Sequence, residues 1–332
     1  PAPAAPAPAA PKAAPAQPKA PAPAKPAEVR RLTWGPAPLV SPVFTYAVAA
    51  SKVINEQVPS VQITVSETKG AVEGISRLRS GQLHLLTTQH GLGYEAYEGL
   101  AQFKDQPMRN LRALWTSNVS VNVFVVRQDS GITSIPQLEG REFAGGTGTY
   151  TDVLAHNTLA AAGINPKWYR GGLEDALVAT KDRRIVGFVK AVGATAPDGA
   201  IVDVQASAPI RVLGWPQNVV ARVKEKYPYY TFGEVRAGVY KGAGNDAPVP
   251  TWTGMIVTVA TSDLDPELAY QIVKAIDTNR RPQENAYPPS REVDFIKAVA
   301  EMSPIPAHAG TLRYIRERGL PVRPEVVPPE AR

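Results

Sequence analysis

The stretch that most constrains the fold is Arg141–Gly163, in which a short strand pattern runs into a turn of small residues and then into a helix. The strand pattern covers Arg141–Ala144 and the turn covers Gly145–Thr149. Gly163 is placed to end the helix. This order presents free backbone N–H groups and the positive end of a helix dipole above the turn. The stretch therefore predicts one half of a cleft that binds a carboxylate.

The same turn has a simpler interpretation, in which a threonine only caps its own helix. The local pattern leaves both interpretations open. Phosphate binding is not predicted, because Thr151 stands where a dinucleotide fingerprint needs a third glycine. No lysine follows the turn, as a P-loop would require.

Length and composition narrow the class of protein. The 332 residues can form two domains, and no apolar run approaches the ~20 residues of a spanning helix. The formal net charge is +6, half of it from the first thirty residues, and no basic stripe predicts a nucleic-acid partner. The absence of cysteine removes thiol catalysis, thiolate zinc sites and disulfides. Neither a cofactor nor a metal site is predicted.

Strand and helix patterns alternate twice along the chain, which predicts an α/β fold with parallel strands in two domains. In the first series, strands at 31–34, 61–65 and 83–87 alternate with helices that begin at Ser41 and near Gly70. The second series runs from Arg141 to Leu213. Between them, Leu111–Thr116 and Val121–Arg127 are predicted as two separate strands.

The remaining segments have weaker patterns. Residues 215–250 are predicted to be irregular, and Trp252–Val259 is predicted to be a strand. Helices are predicted over 266–276, 290–300 and 307–318. Residues 1–29 are rich in proline and alanine, which predicts a disordered, semi-extended tether or a dispensable extension. Residues 321–332 form a proline-rich C-terminal tail.

Several motifs, in this order and spacing, resemble the TAXI class of TRAP-transporter solute receptors. They are TKGAVEGISRL at 68–78, DSGITSIPQLEGR at 129–141, the stretch 145–163, and IPAHAGTLRYIRERG at 305–319. The resemblance covers residues 31–320. It implies a two-lobed, type II periplasmic-binding-protein-like fold, with lobe I formed by 30–126 and 253–320 and lobe II by 127–252. It also implies a monomer in the periplasm, tethered to the membrane through the N-terminal arm, with the membrane components of a TRAP transporter as partners.

Two departures from the family pattern concern the ligand. Prolines interrupt the usual opening turn at Gly35–Tyr46, and Ala71 stands where relatives commonly have a serine. Relatives bind small carboxylates such as glutamate or 2-oxoglutarate. The departures favour a bulkier or more apolar carboxylate here.

The candidate ligand-binding residues lie in turns at the carboxyl ends of parallel strands, where open α/β sheets bind ligands. Lobe I and then lobe II contribute Ser41, Phe44, Lys69, Gln89, His90, Thr147, Gly148, Thr149, Tyr150 and Gly193. Simpler roles remain open for three of them. Ser41 could be only an N-cap, Phe44 could belong to the core, and Lys69 could be solvated.

The sequence thus favours a binding protein that closes on a small organic acid, such as a dicarboxylate, an amino acid or an oxo acid. The hinge candidates are Val125–Gln128 and Pro250–Thr253, where the lobes change. An enzyme on the same scaffold is the alternative, but the four histidines are scattered and no Gly-x-Ser-x-Gly elbow is present. A tethered sensory or assembly domain is the third possibility.

Overall fold

The structure is a computed structural model that describes residues 1–4, 29–39 and 41–332. Residues 5–28, which make up most of the predicted tether, lie outside the described residues. Among the helices that the structure describes, none is both long enough and apolar enough to cross a membrane.

The described chain forms one ten-stranded sheet covered by helices. The strands are β1 (Arg30–Gly35), β2 (Val61–Val65), β3 (Leu85–Gln89), β4 (Leu111–Arg127), β5 (Glu142–Ala144), β6 (Lys167–Trp168), β7 (Gly187–Val192), β8 (Ile210–Leu213), β9 (Thr231–Val235) and β10 (Val249–Thr261). The helices are α1 (Pro42–Gln57), α2 (Ala71–Arg79), α3 (His90–Glu98), α4 (Tyr150–Ala161), α5 (Leu173–Lys181), α6 (Gly199–Ser207), α7 (Gln217–Lys226), α8 (Pro266–Thr278), α9 (Arg281–Ala286), α10 (Lys297–Met302) and α11 (Ala309–Glu317).

The strand order is β2-β1-β3-β10-β4-β7-β5-β6, with β8 added to β4 and β9 added to β10. Strands β1–β3 are parallel to one another, and so are β5–β7. The two long strands β4 and β10 lie antiparallel in the middle and join these parallel groups. The alternating series predicted from sequence therefore form the two ends of a single sheet.

Two sets of buried side chains divide the molecule into two lobes. Lobe I packs β1–β3, α1–α3 and α8–α11 around a core that includes Trp34, Tyr46 and Trp115. Lobe II packs β5–β9 and α4–α7 in two layers, one on each face of its part of the sheet. This arrangement confirms the predicted two-lobed α/β fold.

The central strands cross from one lobe to the other. In β4, residues up to Trp115 belong to the core of lobe I, and Val121–Val126 belong to the cores of lobe II. Between them, Ser117 is left out of the register because Ile256 pairs with Asn118 and Val257 pairs with Thr116. A bulge of this kind bends a strand. The predicted division of the chain at 126/127 and 252/253 stays a prediction.

Some local predictions were wrong. The two strands predicted at 111–116 and 121–127 are one strand, β4, because the polar residues between them pair with β10. Residues 215–250, predicted to be irregular, contain α7 and β9. The helix predicted over 290–300 is split into a 3₁₀ turn at Pro288–Glu292 and the short α10.

Candidate functional site

A large cleft lies between the lobes, at the carboxyl ends of β1, β2 and β3. Its main chamber has a volume of about 900 Å³. Lobe I contributes the β1–α1 loop, the β2–α2 turn and the end of β3, whereas lobe II contributes the start of α4. A cleft of this size at the carboxyl edge of a sheet can enclose a small organic molecule.

A smaller chamber of about 400 Å³ continues the cleft. Four residues line both chambers: Val43, Gln89, Tyr150 and Ile256. The floor of the small chamber comes from the crossing segments of β4 and β10, and its far side comes from the end of β7 and the loop that follows. The two chambers therefore form one elongated site.

The first turns of four helices, α1–α4, line the main chamber. Only two of these helices have a side-chain cap, supplied to α1 by Ser41 and to α4 by Thr149. The amide N–H groups of Gly148, Tyr150 and Thr151 have no hydrogen-bond partner among the described residues. Unpaired N–H groups at helix starts, together with the helix dipoles, form a site for an anion.

Seven of the ten predicted site residues line the cleft. Ser41, Lys69, Gln89, Gly148, Thr149 and Tyr150 line the main chamber, and Gly193 lines the small one. The Gln89 amide oxygen is buried without a hydrogen-bond partner in the described structure. A buried, unpaired amide oxygen beside a cavity is a ready acceptor for a ligand donor. Whether these residues bind a ligand stays a prediction.

The structure does not bring Phe44, His90 or Thr147 into the lining. Thr147 is exposed, and its N–H donates to Gly171. The His90 ring is buried, with Nδ1 accepting from the Met255 N–H and Nε2 lying 3.3 Å from the Thr231 hydroxyl. Burial lowers the pKa of His90 to about 4, so the ring is neutral and serves to join the lobes.

Tyr150 connects the lobes directly. It starts α4 in lobe II, and its ring packs against the cores of both lobes. A Cβ on Gly91, in α3 of lobe I, would overlap the Tyr150 hydroxyl. Burial raises the pKa of Tyr150 well above its ordinary value, so the phenol stays neutral.

Sequence reasoning missed the polar floor of the small chamber. Asn118, Ser120 and Asn122 alternate along β4 and line it, together with Lys190, Asp198 and Tyr287. The available signal was the polar–apolar alternation of 118–122 inside an otherwise apolar stretch, which has the period of a strand with one polar face. The segment was instead predicted to be the gap between two strands.

The acidic side chains that line the cleft already have partners. Glu73 lies 3.5 Å from Arg77, Asp152 lies 3.4 Å from His156, and Asp198 pairs with Lys190. Lys69 is exposed and also lines the main chamber. The chemistry that remains available is therefore mainly that of amide and hydroxyl groups, which suits binding.

The sequence profile of the NMT1-like family matches residues 35–319, which covers both lobes and the whole cleft. The chain belongs to the NMT1-like family. Its fold is that of a TctC solute binding protein from Polaromonas, with a TM-score of 0.51 and 13% identity over 80% of this chain and 88% of that one. The agreement confirms the predicted periplasmic-binding-protein-like fold.

Two further solved structures are similar to this NMT1-like chain. The periplasmic aliphatic sulphonate binding protein SsuA from Escherichia coli is 12% identical, with a TM-score of 0.48 and 90% of each chain covered. XAC2383 from Xanthomonas citri, bound to chloride ion, is 13% identical, with a TM-score of 0.49, and covers 87% of this chain and 99% of that chain.

Proposed function

We propose that the chain is an extracytoplasmic solute-binding protein of the TAXI class. It would capture a small organic acid by closure of its lobes and deliver the acid to the membrane components of a TRAP-type transporter. It would act as a monomer in the periplasm, with residues 1–29 as a tether. The fold shared with a TctC solute binding protein supports this proposal.

The observation that carries the proposal is that N–H groups at the start of α4 have no partner in the described part of the chain and lie beside a cleft that the first turns of α1–α3 also line. A carboxylate placed there receives backbone hydrogen bonds and the favourable end of the helix dipoles. Once water is excluded, neutral donors bind an anion more strongly than they do in bulk solvent. The site therefore needs no paired arginine to hold an acid.

Closure would bend the crossing segments of β4 and β10. The bulge at Ser117 lies opposite the junction of Ile256 and Val257, near the point where both strands change lobes. Hinges are a few residues that absorb backbone rotation, and a bulge provides such a place. Ser117 lies eight residues before the hinge predicted at Val125–Gln128, and Ile256 lies three residues after the one predicted at Pro250–Thr253.

A thermal-shift screen of organic acids tests the proposal. A ligand that binds only the folded state at 100 times its Kd raises the free energy of unfolding by about 2.7 kcal/mol. We expect at least one organic acid, amino acid or aromatic carboxylate to raise Tm. A screen in which none of these acids changes Tm would contradict the proposal.

The variant Gln89→Met tests whether the acid binds in the cleft. Methionine retains the length of the side chain but removes the amide whose oxygen is unpaired. We expect about a tenfold loss of affinity for the best acid, equivalent to about 1.4 kcal/mol. The control is Gln62→Met on the exposed side of β2, which should bind as the wild type does. Equal affinity of both variants would place binding elsewhere.

The same preparation tests the enzyme alternative. The partners already found for Glu73, Asp152 and Asp198 favour binding over turnover. Prolonged incubation with the best acid should return it unchanged by mass spectrometry. Conversion of the acid at a rate proportional to protein concentration would support an enzyme.

A further inference from the structure

The small chamber differs from the main chamber in its electrostatics. Its two charged residues, Lys190 and Asp198, form a hydrogen-bonded ion pair whose side chains are 17% and 22% exposed. The other Asp198 oxygen accepts from the N–H groups of Ala200 and Ile201 at the start of α6. Burial raises the pKa of Tyr287 to about 12, so this lining phenol is neutral. The chamber is therefore polar, with its charges balanced internally.

The floor of the small chamber offers acceptors. The Asn122 amide NH₂ donates to the Trp252 carbonyl at 3.2 Å, which leaves its Oδ1 available. The Ser120 hydroxyl donates to the Gly254 carbonyl at 3.2 Å, which leaves its lone pairs available. Gln89 lies at the junction of the two chambers, and its amide oxygen has no partner within residues 1–4, 29–39 and 41–332. A group that donates hydrogen bonds would satisfy these oxygens.

A second carboxylate would fit this chamber poorly. It carries no donor for the oxygens of Ser120 and Asn122, and it would have to compete with Asp198 for Lys190. Moving a charge out of water without a partner of its own costs more free energy than moving a neutral amide or hydroxyl. A neutral group can donate to the floor and still accept from the remaining N–H groups of Lys190.

We infer that the ligand is a monocarboxylic acid whose far end carries an uncharged amide or hydroxyl group, rather than a dicarboxylate. The carboxylate lies at the start of α4 in the main chamber, and the neutral end lies in the small chamber. This inference rests on the proposed function, because it assigns the second half of the same site.

Calorimetric titration of matched pairs of acids tests the inference. Each pair has one chain length and differs only at one end: succinamate and succinate, glutaramate and glutarate, adipamate and adipate. At the length that fits best, we expect the amide acid to bind at least tenfold more tightly than the diacid. Diacids that bind as tightly as the amide acids at every chain length would overturn the inference and leave the proposed function standing. Failure of all six acids to bind would overturn the inference, whereas failure of every acid in the thermal-shift screen would overturn the proposed function as well.

The variant Asp198→Asn examines the cause of the preference. Asparagine retains the α6 cap, since it is as good an N-cap as aspartate, but it leaves the charge of Lys190 unpaired. We expect the affinity for the diacid to rise at least tenfold relative to the amide acid. An unchanged ratio of the two affinities would contradict the role assigned to the ion pair.

A matched control is available on the same helix. Asp203, also in α6, forms a 2.8 Å ion pair with Lys181 on the outer surface of lobe II. Asp203→Asn should leave the ratio of the two affinities at the wild-type value. Thermal unfolding of both variants establishes that each is folded before the titrations, so that a lost signal is not mistaken for a changed preference.

Discussion

The Glu95 side chain is a carboxyl group buried between the lobes. It lies on α3 of lobe I, is fully buried, and accepts a hydrogen bond from the Tyr229 hydroxyl of lobe II at 3.1 Å. Its other oxygen has no partner among the described residues. The titratable groups that face it from lobe II are the phenols of Tyr150, Tyr229 and Tyr230. Burial raises the pKa of Glu95 from its ordinary 4.5 to about 7.

This raised pKa makes the stability of the wild type depend on pH. Below pH 4.5 the carboxyl is protonated in both the folded and unfolded states. Between pH 4.5 and about 7 only the unfolded state ionises, so stability is lost as the pH rises. We expect the difference in free energy of unfolding between Glu95→Gln and wild type to grow by about 3 kcal/mol from pH 4.5 to pH 8.

Urea unfolding at four pH values between 4.5 and 8 measures this difference. The control is Glu56→Gln on α1, where the carboxylate is 57% exposed and lies 3.9 Å from Lys52. The difference in free energy of unfolding between Glu56→Gln and wild type should change by no more than about 0.5 kcal/mol over the same pH range, because an exposed ion pair contributes little. If the free energies of unfolding of Glu95→Gln and wild type changed with pH in parallel, the Glu95 carboxyl would have to be solvated.

The local position of a residue in the sequence decides whether its place in the cleft could be predicted. The predicted residues Gln89, Thr149 and Tyr150 line the cleft because each lies between a strand and the start of the next helix, at the carboxyl edge of the sheet. His90 has the same local position. Its ring turns into the structure because the Met255 N–H and the Thr231 hydroxyl lie beside it, and both belong to distant segments. No local pattern carries that information.

Helix α3 illustrates a local preference overridden by tertiary structure. It contains Gly91 and Gly93, and because glycine is unfavourable in a helix interior, the local pattern does not predict a helix there. The structure explains Gly91, because only a residue without a Cβ at this position leaves room for the Tyr150 hydroxyl. Helix α7 was missed for a related reason. Its buried face consists of valines, whose helix propensity is low and whose burial depends on lobe II.

The two glycines of α3 form a matched pair for an experiment on lobe closure. Gly91→Ala places a methyl group against Tyr150 across the lobes, and overpacking of this kind costs about 1–3 kcal/mol. We expect the affinity for the best acid in the screen to fall at least tenfold, because the overlap opposes any form in which Tyr150 packs against α3.

The same substitution at Gly93 should have the opposite effect on stability. Its Cβ would meet Thr88 and Ile305 at 3.7 and 3.9 Å, which are ordinary contacts. We expect Gly93→Ala to retain wild-type affinity and to stabilise the fold by about 0.5–1 kcal/mol, because alanine favours a helix. The measurements are calorimetric titration and urea unfolding. A Gly91→Ala variant that binds as well as Gly93→Ala does would show that Tyr150 leaves α3 during binding.

At the scale of the whole molecule, the two long strands β4 and β10 connect the lobes. The sequence predicted both series of strands and helices, because each is encoded by local periodicity and by residues such as Ser41 and Gly163. It did not predict that β4 runs unbroken through both lobes. The alternation over 118–122 has the period of a strand, but it does not identify the partner, and Asn118 and Ser120 pair with β10 more than a hundred residues away. The partner of a strand at such a separation cannot be read from the local pattern.

Other contacts between the lobes are made away from the crossing strands. Tyr94 stacks on Tyr229 with ring centroids 4.4 Å apart, and Thr195 of lobe II is hydrogen-bonded to Glu292 of lobe I. A ligand that bridges both lobes adds contacts that only the closed form provides, so it shifts the balance between open and closed forms.

The absence of cysteine from the sequence allows this motion to be measured with paired labels. Leu39, which is 59% exposed in the β1–α1 loop, and the exposed Thr147 in the turn before α4 flank the cleft from opposite lobes. Each is replaced by cysteine, labelled with a nitroxide, and first shown by titration to bind the best acid as the wild type does. We expect the acid to shorten the mean distance between the labels by more than about 2 Å, a typical closure amplitude.

The control pair, Leu39 and Leu100, lies within lobe I, and the distance between its labels should not change when the acid is added. An interlobe distance that stays the same at saturating acid would mean that the ligand enters a cleft that is already closed, and the bulged strands would then have no part in binding.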